Sequence, residues 1–272
     1  MKTKLIMVFL LYVIILNHLH ATAQNHKDLD RDYIKKDSIL WNEYEKRMDS
    51  IVRNIADRQK RKADLIANLD ETNRKNKELA ISFKNTIGGI ERIFMTRAQF
   101  TKTELKNVLE STSLRVRKTS AFKAIQDHLN IDQIKIGNLW PEHLTIVDTA
   151  NLPIRLKKNI TNIIIYNGSG MSDCMGESNR SKLNKLAKDA QFSSRAKIYL
   201  FYNTENINTL KNINTKFNDH LEFISDLTGD YSNFKIAMGS QAVPTVYIFN
   251  SDGKLEAIQL GVEDLITKWQ NN

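Results

Sequence analysis

The chain has 272 residues, 41% of them hydrophobic and 26% charged, with a formal net charge of +9 and one cysteine. That length holds one domain plus an appended region. A single cysteine excludes an internal disulfide, so packing must supply the stability. Nor is the positive charge evenly spread: residues 24–130 carry 23 Lys+Arg against 16 Asp+Glu, while residues 131–272 carry 15 of each.

Residues 1–23 read as a secretory signal peptide. Lys2 and Lys4 precede an apolar run from Leu5 to Leu16, and Ala21-Thr22-Ala23 supplies a small-x-small cleavage pattern. The alternative is an uncleaved anchor, against which the run is short of the ~20 residues a spanning helix needs. The expectation is an exported protein of the periplasm or cell envelope, with no stable membrane span after cleavage.

Residues 24–130 form a helical region. Between Leu29 and Leu69 there is neither proline nor glycine, and Ile34, Trp41, Tyr44, Met48, Ile51 and Ile55 repeat at spacings of three, four and seven. That places them on one helix face. The stripe fades at Arg58 and Lys62, so the pattern predicts one long helix, solvated at its far end or turning back near Asn68 to Asn76. A second helix is expected from about Glu78, weakened by Gly88-Gly89 and continuing through Ile90, Ile93 and Phe94. A third begins at Thr101 or Thr103 with Glu104 behind it, and a fourth runs from about Ser120 to Leu129. The Arg58, Lys60, Arg61, Lys62 cluster could meet phosphate, but no aromatics interleave it and acidic residues flank it, so it reads as a solvated face and no nucleic acid is expected. The stripe admits a homodimer through the helical region.

From Ile131 the period changes. Ile131–Gly137 and Leu144–Asp148 alternate as short strands do. Strands and helices then succeed one another: strand 162–166, helix 173–190, strand 197–202, helix 205–217, strand 222–225, helix 231–238. Thr245–Phe249 and Leu255–Leu260 pair as a hairpin turned by Asp252-Gly253, and a helix from Val262 to Trp269 closes the chain. This alternation predicts an α/β mixed sheet covered on both faces, preceded by an all-α helical hairpin or bundle.

Three segments carry a resemblance: IKIGNLWPEHLTIVD (134–148), IIIYNGSGMSDCMGES (163–178) and VPTVYIFNSDGK (243–254). In that order they resemble the opening segment, the strand and CxxC helix start, and the cis-proline strand of the extracytoplasmic TlpA-like thioredoxin (redoxin) family. The preceding helices resemble the region found in its Bacteroidota-type members. The resemblance implies a thioredoxin-like fold for residues 131–272. It implies that Cys174 stands at the second, resolving cysteine and Met171 where the attacking cysteine should be, with Asp173 between them. Tyr166, Asn167 and Gly170 stand where aromatic residues are usual, and Glu177 where an acidic residue often begins the helix. Pro244 falls on the cis-proline, and the backbone before it, at Val243, would bind an extended partner segment; the alternative is an ordinary trans proline opening a strand.

Dithiol exchange needs one thiolate to attack and a second thiol to release the mixed disulfide. Methionine supplies neither, so a degenerate motif Met171-Ser172-Asp173-Cys174 predicts no dithiol turnover and leaves a protein or peptide binding role at the Val243-Pro244 groove, with Met171 and Asp173 beside it as partner-binding residues. The competing expectation is a monothiol redox enzyme that uses Cys174 for thiol-disulfide exchange or peroxidase-like chemistry. Against it, Asp173 is a neighbouring negative charge, and the peroxidase pattern wants a threonine or serine at Met171 and a proline further upstream. His26, His128, His143 and His220 lack ligand spacing, and the GSG of Gly168–Gly170 lacks the lysine and hydroxyl of a phosphate loop. Neither metal nor cofactor is expected.

Overall fold

The computed structural model of the chain describes residues 2–169, 175–217, 220–239 and 242–270, with side chains from residue 26 onward except at 169, 216, 217 and 270. Two compact units divide it, Met1–Gln126 and Asp127–Asn272.

In the first unit, helix α1 spans Lys2–Asn54 and α2 spans Arg58–Ser82. The two are antiparallel: near the turn Asn68 Nδ2 donates to the Tyr44 carbonyl at 3.3 Å, and far from it Tyr33 packs on Phe83, just past the end of α2, with ring centroids 5.7 Å apart, while Arg47 Nη1 also donates to Glu71 at 2.7 Å. The turn therefore falls at residues 55–57, earlier than the expected reversal near Asn68 to Asn76. Its local cause is Asp57, which takes an extended conformation and whose Oδ1 accepts from the Lys60 amide at 2.6 Å. This is an N-cap, and it starts a helix without glycine or proline. The expected stripe survives as half-buried Trp41, Tyr44, Met48, Ile51 and Ile55, but its head is corrected. Ile34 is 66% exposed, and its neighbour Tyr33 is the buried residue. Helix α2 buries Asn68, Thr72, Asn76 and Ala80, which is why its apolar pattern fades.

Helix α2 ends at Ser82, and α3 (Ile87–Met95) restarts under the Thr86 cap, whose Oγ1 accepts from the Gly89 amide at 3.0 Å. Gly88 and Gly89 thus sit in the first turn of a separate helix, where they permit close approach. A Cβ on Gly88 would lie 2.5 Å from Tyr33 Cε1, and one on Gly89 would lie 2.1 Å from the Phe83 carbonyl oxygen. Helix α4 (Lys102–Glu110) begins with the reciprocal Thr101/Glu104 capping box. Lys77 Nζ also donates to Glu104 at 2.8 Å. The Lys77 hydrogen bond, then that of the Thr101 amide, hold the Glu104 carboxyl down at about 2. Helix α5 runs Ser120–Asn130.

The second unit is a six-stranded sheet in the order β1-β4-β3-β2-β5-β6. Its elements are β1 (Val147–Asp148), β2 (Thr161–Ser169), α6 (Glu177–Lys188), α7 (Ala190–Ser193) and β3 (Ala196–Asn203), then α8 (Ile207–Phe217), β4 (Glu222–Ser225), α9 (Asn233–Ala237), β5 (Thr245–Phe249), β6 (Leu255–Leu260) and α10 (Glu263–Gln270). Strand β3 runs parallel to β2 and to β4, whereas β2 with β5, β5 with β6, and β1 with β4 are antiparallel. This is a thioredoxin-like mixed sheet. Residues 131–137, expected as a strand, form none. Ile134 donates its amide to the Ala237 carbonyl at 2.9 Å and Gly137 to that of Leu255 at 2.7 Å. The alternation there reflects Ile131 and Ile134 packing on the core beneath, not pairing along a strand.

Successive residues of the central strands divide between two cores, as a pleat requires. Ile163, Ile165, Ile198, Leu200, Val246 and Ile248 face one side, under Leu183 and Leu186 of α6, Leu210 of α8 and Leu265 of α10. Ile164, Tyr166, Tyr199, Phe201, Tyr247 and Phe249 face the other, under Phe234 of α9 and Trp140. Phe234 stacks on Phe201 with centroids 4.2 Å apart and is fully buried; truncating such a ring to alanine costs roughly 3–5 kcal/mol. Burial on both sides explains the near-continuous apolar runs of β2, β3 and β5.

Candidate functional site

The parallel strands β2, β3 and β4 end on the same side of the sheet, and open sheets of this kind present ligand sites there. Strand β5 starts on that side, because Tyr166 pairs with Thr245. The sheet register slips between Tyr166 and Ser169, and Ser169 then pairs with Asn203. Within the slip, Gly168 has φ +76°, and a Cβ there would lie 3.1 Å from Val243 Cγ1. The end of β2 and the segment before β5 are therefore in direct contact.

The Val243–Pro244 peptide is cis. The Pro244 carbonyl accepts from the Gly261 amide at 3.0 Å, and Thr245 Oγ1 donates to the Ala242 carbonyl at 2.7 Å. Val243 lies between these anchored groups. It is 41% exposed, and its main chain makes no hydrogen bond to any described residue. Solvated, these groups cost nothing; paired to an incoming extended chain, they would supply directional bonds.

Two buried polar pairs close the ends of β2 and β3. Asn167 Nδ2 donates to Tyr202 Oη at 3.0 Å, and Asn203 Nδ2 donates to Tyr166 Oη at 2.8 Å. Asn167 is fully buried, and its Oδ1 and that of Asn203 have no hydrogen-bond partner among the described residues. The altered position Asn167 is thus wired to the neighbouring strand. Tyr202 and Asn203 were not candidates from the sequence, since nothing in one strand announces the register of the next.

Of the expected site residues, Val243 and Pro244 come together with Tyr166, Asn167 and Gly168. Met171, Asp173 and Cys174 lie outside the described residues, as does Gly170. Beyond them Met175 is buried in the first core, and Glu177 is exposed as the first residue of α6. At the start of α10, hydrogen bonds from its own amide and from Asn179 hold the Glu263 carboxyl below the usual carboxylate range. Among the described residues no group of three or more His, Cys, Asp or Glu could hold a metal ion. A recess of about 390 Å³, lined among others by Lys157, Phe192, Lys197 and His220, opens where β3 begins, at the opposite end of the sheet.

No family model and no curated protein matches the chain. Among solved structures, it is similar to a thiol-disulfide oxidoreductase from Bacteroides fragilis, at 13% identity and a TM-score of 0.43, over 50% of this chain and 98% of that one. It is also similar to a peroxiredoxin-like protein from Aquifex aeolicus, at 16% identity and a TM-score of 0.41, over 52% and 88% of the two chains. A thioredoxin-like protein from Porphyromonas gingivalis matches at 17% identity and a TM-score of 0.39, over 47% and 88%.

Proposed function

We propose that the chain is an exported thioredoxin-fold protein of the thiol-disulfide oxidoreductase type that binds an extended protein or peptide segment at Val243 and Pro244 without dithiol exchange. The observation that carries this reading is Val243 itself: exposed, held beside Gly168, with main-chain groups that pair with nothing described. The sequence contributes Met171 at the attacking position and Cys174 as the sole thiol, which leaves no second thiol to resolve a mixed disulfide. A groove can keep its hydrogen bonds after the chemistry is lost, because binding draws on main-chain groups and exchange draws on sulfur. Export rests on the basic start, the apolar run and Ala21-Thr22-Ala23. Self-association through α1 and α2 belongs to the same reading, since Ile39, Val52, Ile66 and Leu69 are exposed there; a monomer mass across a light-scattering concentration series would remove it.

The test places a photo-crosslinking residue at Val243 in the exported protein and compares captured partners with those of a Val243→Asp variant titrated by peptide anisotropy. Capture from position 243, together with loss of peptide binding in Val243→Asp at unchanged melting temperature, is the expected result. Binding that Val243→Asp leaves untouched would sink the reading.

A further inference from the structure

We propose that the segment bound at Val243 is cationic: an extended stretch of polypeptide in which apolar side chains alternate with lysine or arginine. This rests on the reading of Val243 as a binding groove and adds the chemistry of its occupant.

The apolar half of the argument is a strip continuous with Val243. Leu260 pairs with Thr245 and Ile258 with Tyr247, so both stand on one sheet face two residues apart. Leu260 is 75% exposed and Ile258 is 44% exposed. The Gly261 amide bonds to the Pro244 carbonyl, which ties Leu260 to the Val243 segment. Strand β6 ends the sheet, and among the described residues its outer edge is covered only near Leu255, by residues 137–139. An occupant with apolar side chains at every second residue matches this strip and the open edge beside it.

The charged half comes from what rims that end of the sheet. Glu177 opens α6, Glu263 and Asp264 open α10, Glu205 follows β3, and Asp230 lies in the turn Gly229–Tyr231 after β4. A preference for acids at helix starts accounts for Glu177, Glu263 and Asp264. Glu205, two residues before α8, and Asp230, in the short turn Gly229–Tyr231, lie close together: a Cβ on Gly229 would lie 2.7 Å from Glu205 Cγ. Arg180 and Lys182 of α6 are basic residues at this end, Lys182 close enough to Glu263 to act on its carboxylate. The opposite end, where β2 and β3 begin, carries Lys157, Lys158, Lys188, Arg195 and Lys197 against Asp189 and Glu222, the latter paired with Lys197. With 15 basic and 15 acidic residues in 131–272, the field arises from this separation and not from net charge.

A ligand that carries positive charge complements the exposed carboxylates of that rim, whereas an acidic one would be repelled by them.

The test uses the full chain and three labelled synthetic peptides of one length, in which apolar residues alternate with Lys, with Ser or with Glu, followed by anisotropy at low and high salt. The Lys peptide should bind at least about tenfold more tightly than the Glu peptide at low salt, with the gap closing to within about twofold at ~1 M salt, where screening acts over about 3 Å. Glu205→Gln with Asp230→Asn should cut the Lys-over-Glu preference by about threefold or more and leave Ser-peptide binding unchanged. Equal binding of all three peptides, lost in Val243→Asp, overturns the cationic preference and leaves the groove standing. No binding by any peptide, or binding indifferent to Val243→Asp, overturns both.

Discussion

Replacing Gly168 by alanine probes the joint on which the site depends. At φ +76° an alanine is strained, and its Cβ would lie 3.1 Å from Val243 Cγ1. The backbone contributes about 1–2 kcal/mol of destabilisation, and crowding against the part-exposed Val243 adds about 1 kcal/mol, the low end for overpacking. A lower conformational entropy of the unfolded chain offsets about 0.4–1 kcal/mol, so the net loss is about 1.5 kcal/mol, or roughly 3–5 °C for a unit of this size. Val243→Ala removes the crowding but not the strain, so the double variant should recover about 0.5 kcal/mol or more relative to additivity. Urea unfolding in a Trp41→Phe background reads this unit alone, because Trp140 packs on Phe249 and Trp269 on Phe192. Strict additivity would mean that Val243 does not rest on Gly168, and the site as described would fall with it.

Three further outcomes follow from the packing. Tyr202→Phe strips fully buried Asn167 of its hydroxyl partner and should cost about 1–3 kcal/mol in the same urea assay; a neutral result would show that the pair is not formed. Gly88→Ala drives a methyl to 2.5 Å from Tyr33 Cε1 and should destabilise the helical unit by roughly 1–3 kcal/mol despite alanine's helix preference of about 1 kcal/mol, read as a lowered melting midpoint by circular dichroism. The Glu104 carboxyl, held at about 2 against an ordinary 4.5, contributes stability that is fully present above the ordinary value and is lost as pH falls toward about 2. Midpoints measured down that range should fall more steeply for the native chain than for Glu104→Gln, and parallel curves would refute the Lys77 and Thr101 bonding.

Where sequence reasoning succeeded, the deciding signals were local. Asp252-Gly253 between two apolar runs fixed the β5/β6 hairpin, and Thr101 with Glu104 marked the start of α4, because each motif closes its own hydrogen bonds. The turn at 55–57 was missed because Asp57 caps α2 in a stretch without glycine or proline, and the half-polar inner face of α2 hid the reversal. Tyr33 displaced Ile34 because Gly88 opens room for a ring, a fact that depends on α3. Residues 131–137 alternated without becoming a strand, since alternation records which side chains meet a core and not whether an edge awaits them. At the candidate site, the cis Val243–Pro244 bond was legible from its motif, whereas the Asn167 to Tyr202 and Asn203 to Tyr166 bonds depend on the register of two strands joined by helices.

The central claim, binding at Val243 without dithiol exchange, meets its most direct test in a thiol-release assay. The full chain is given a disulfide-bonded peptide that it binds, with dithiothreitol as reductant. The account predicts release no faster than dithiothreitol alone achieves, with peptide still bound. Catalysed release that Cys174→Ser abolishes would contradict it and assign the chain a monothiol redox activity.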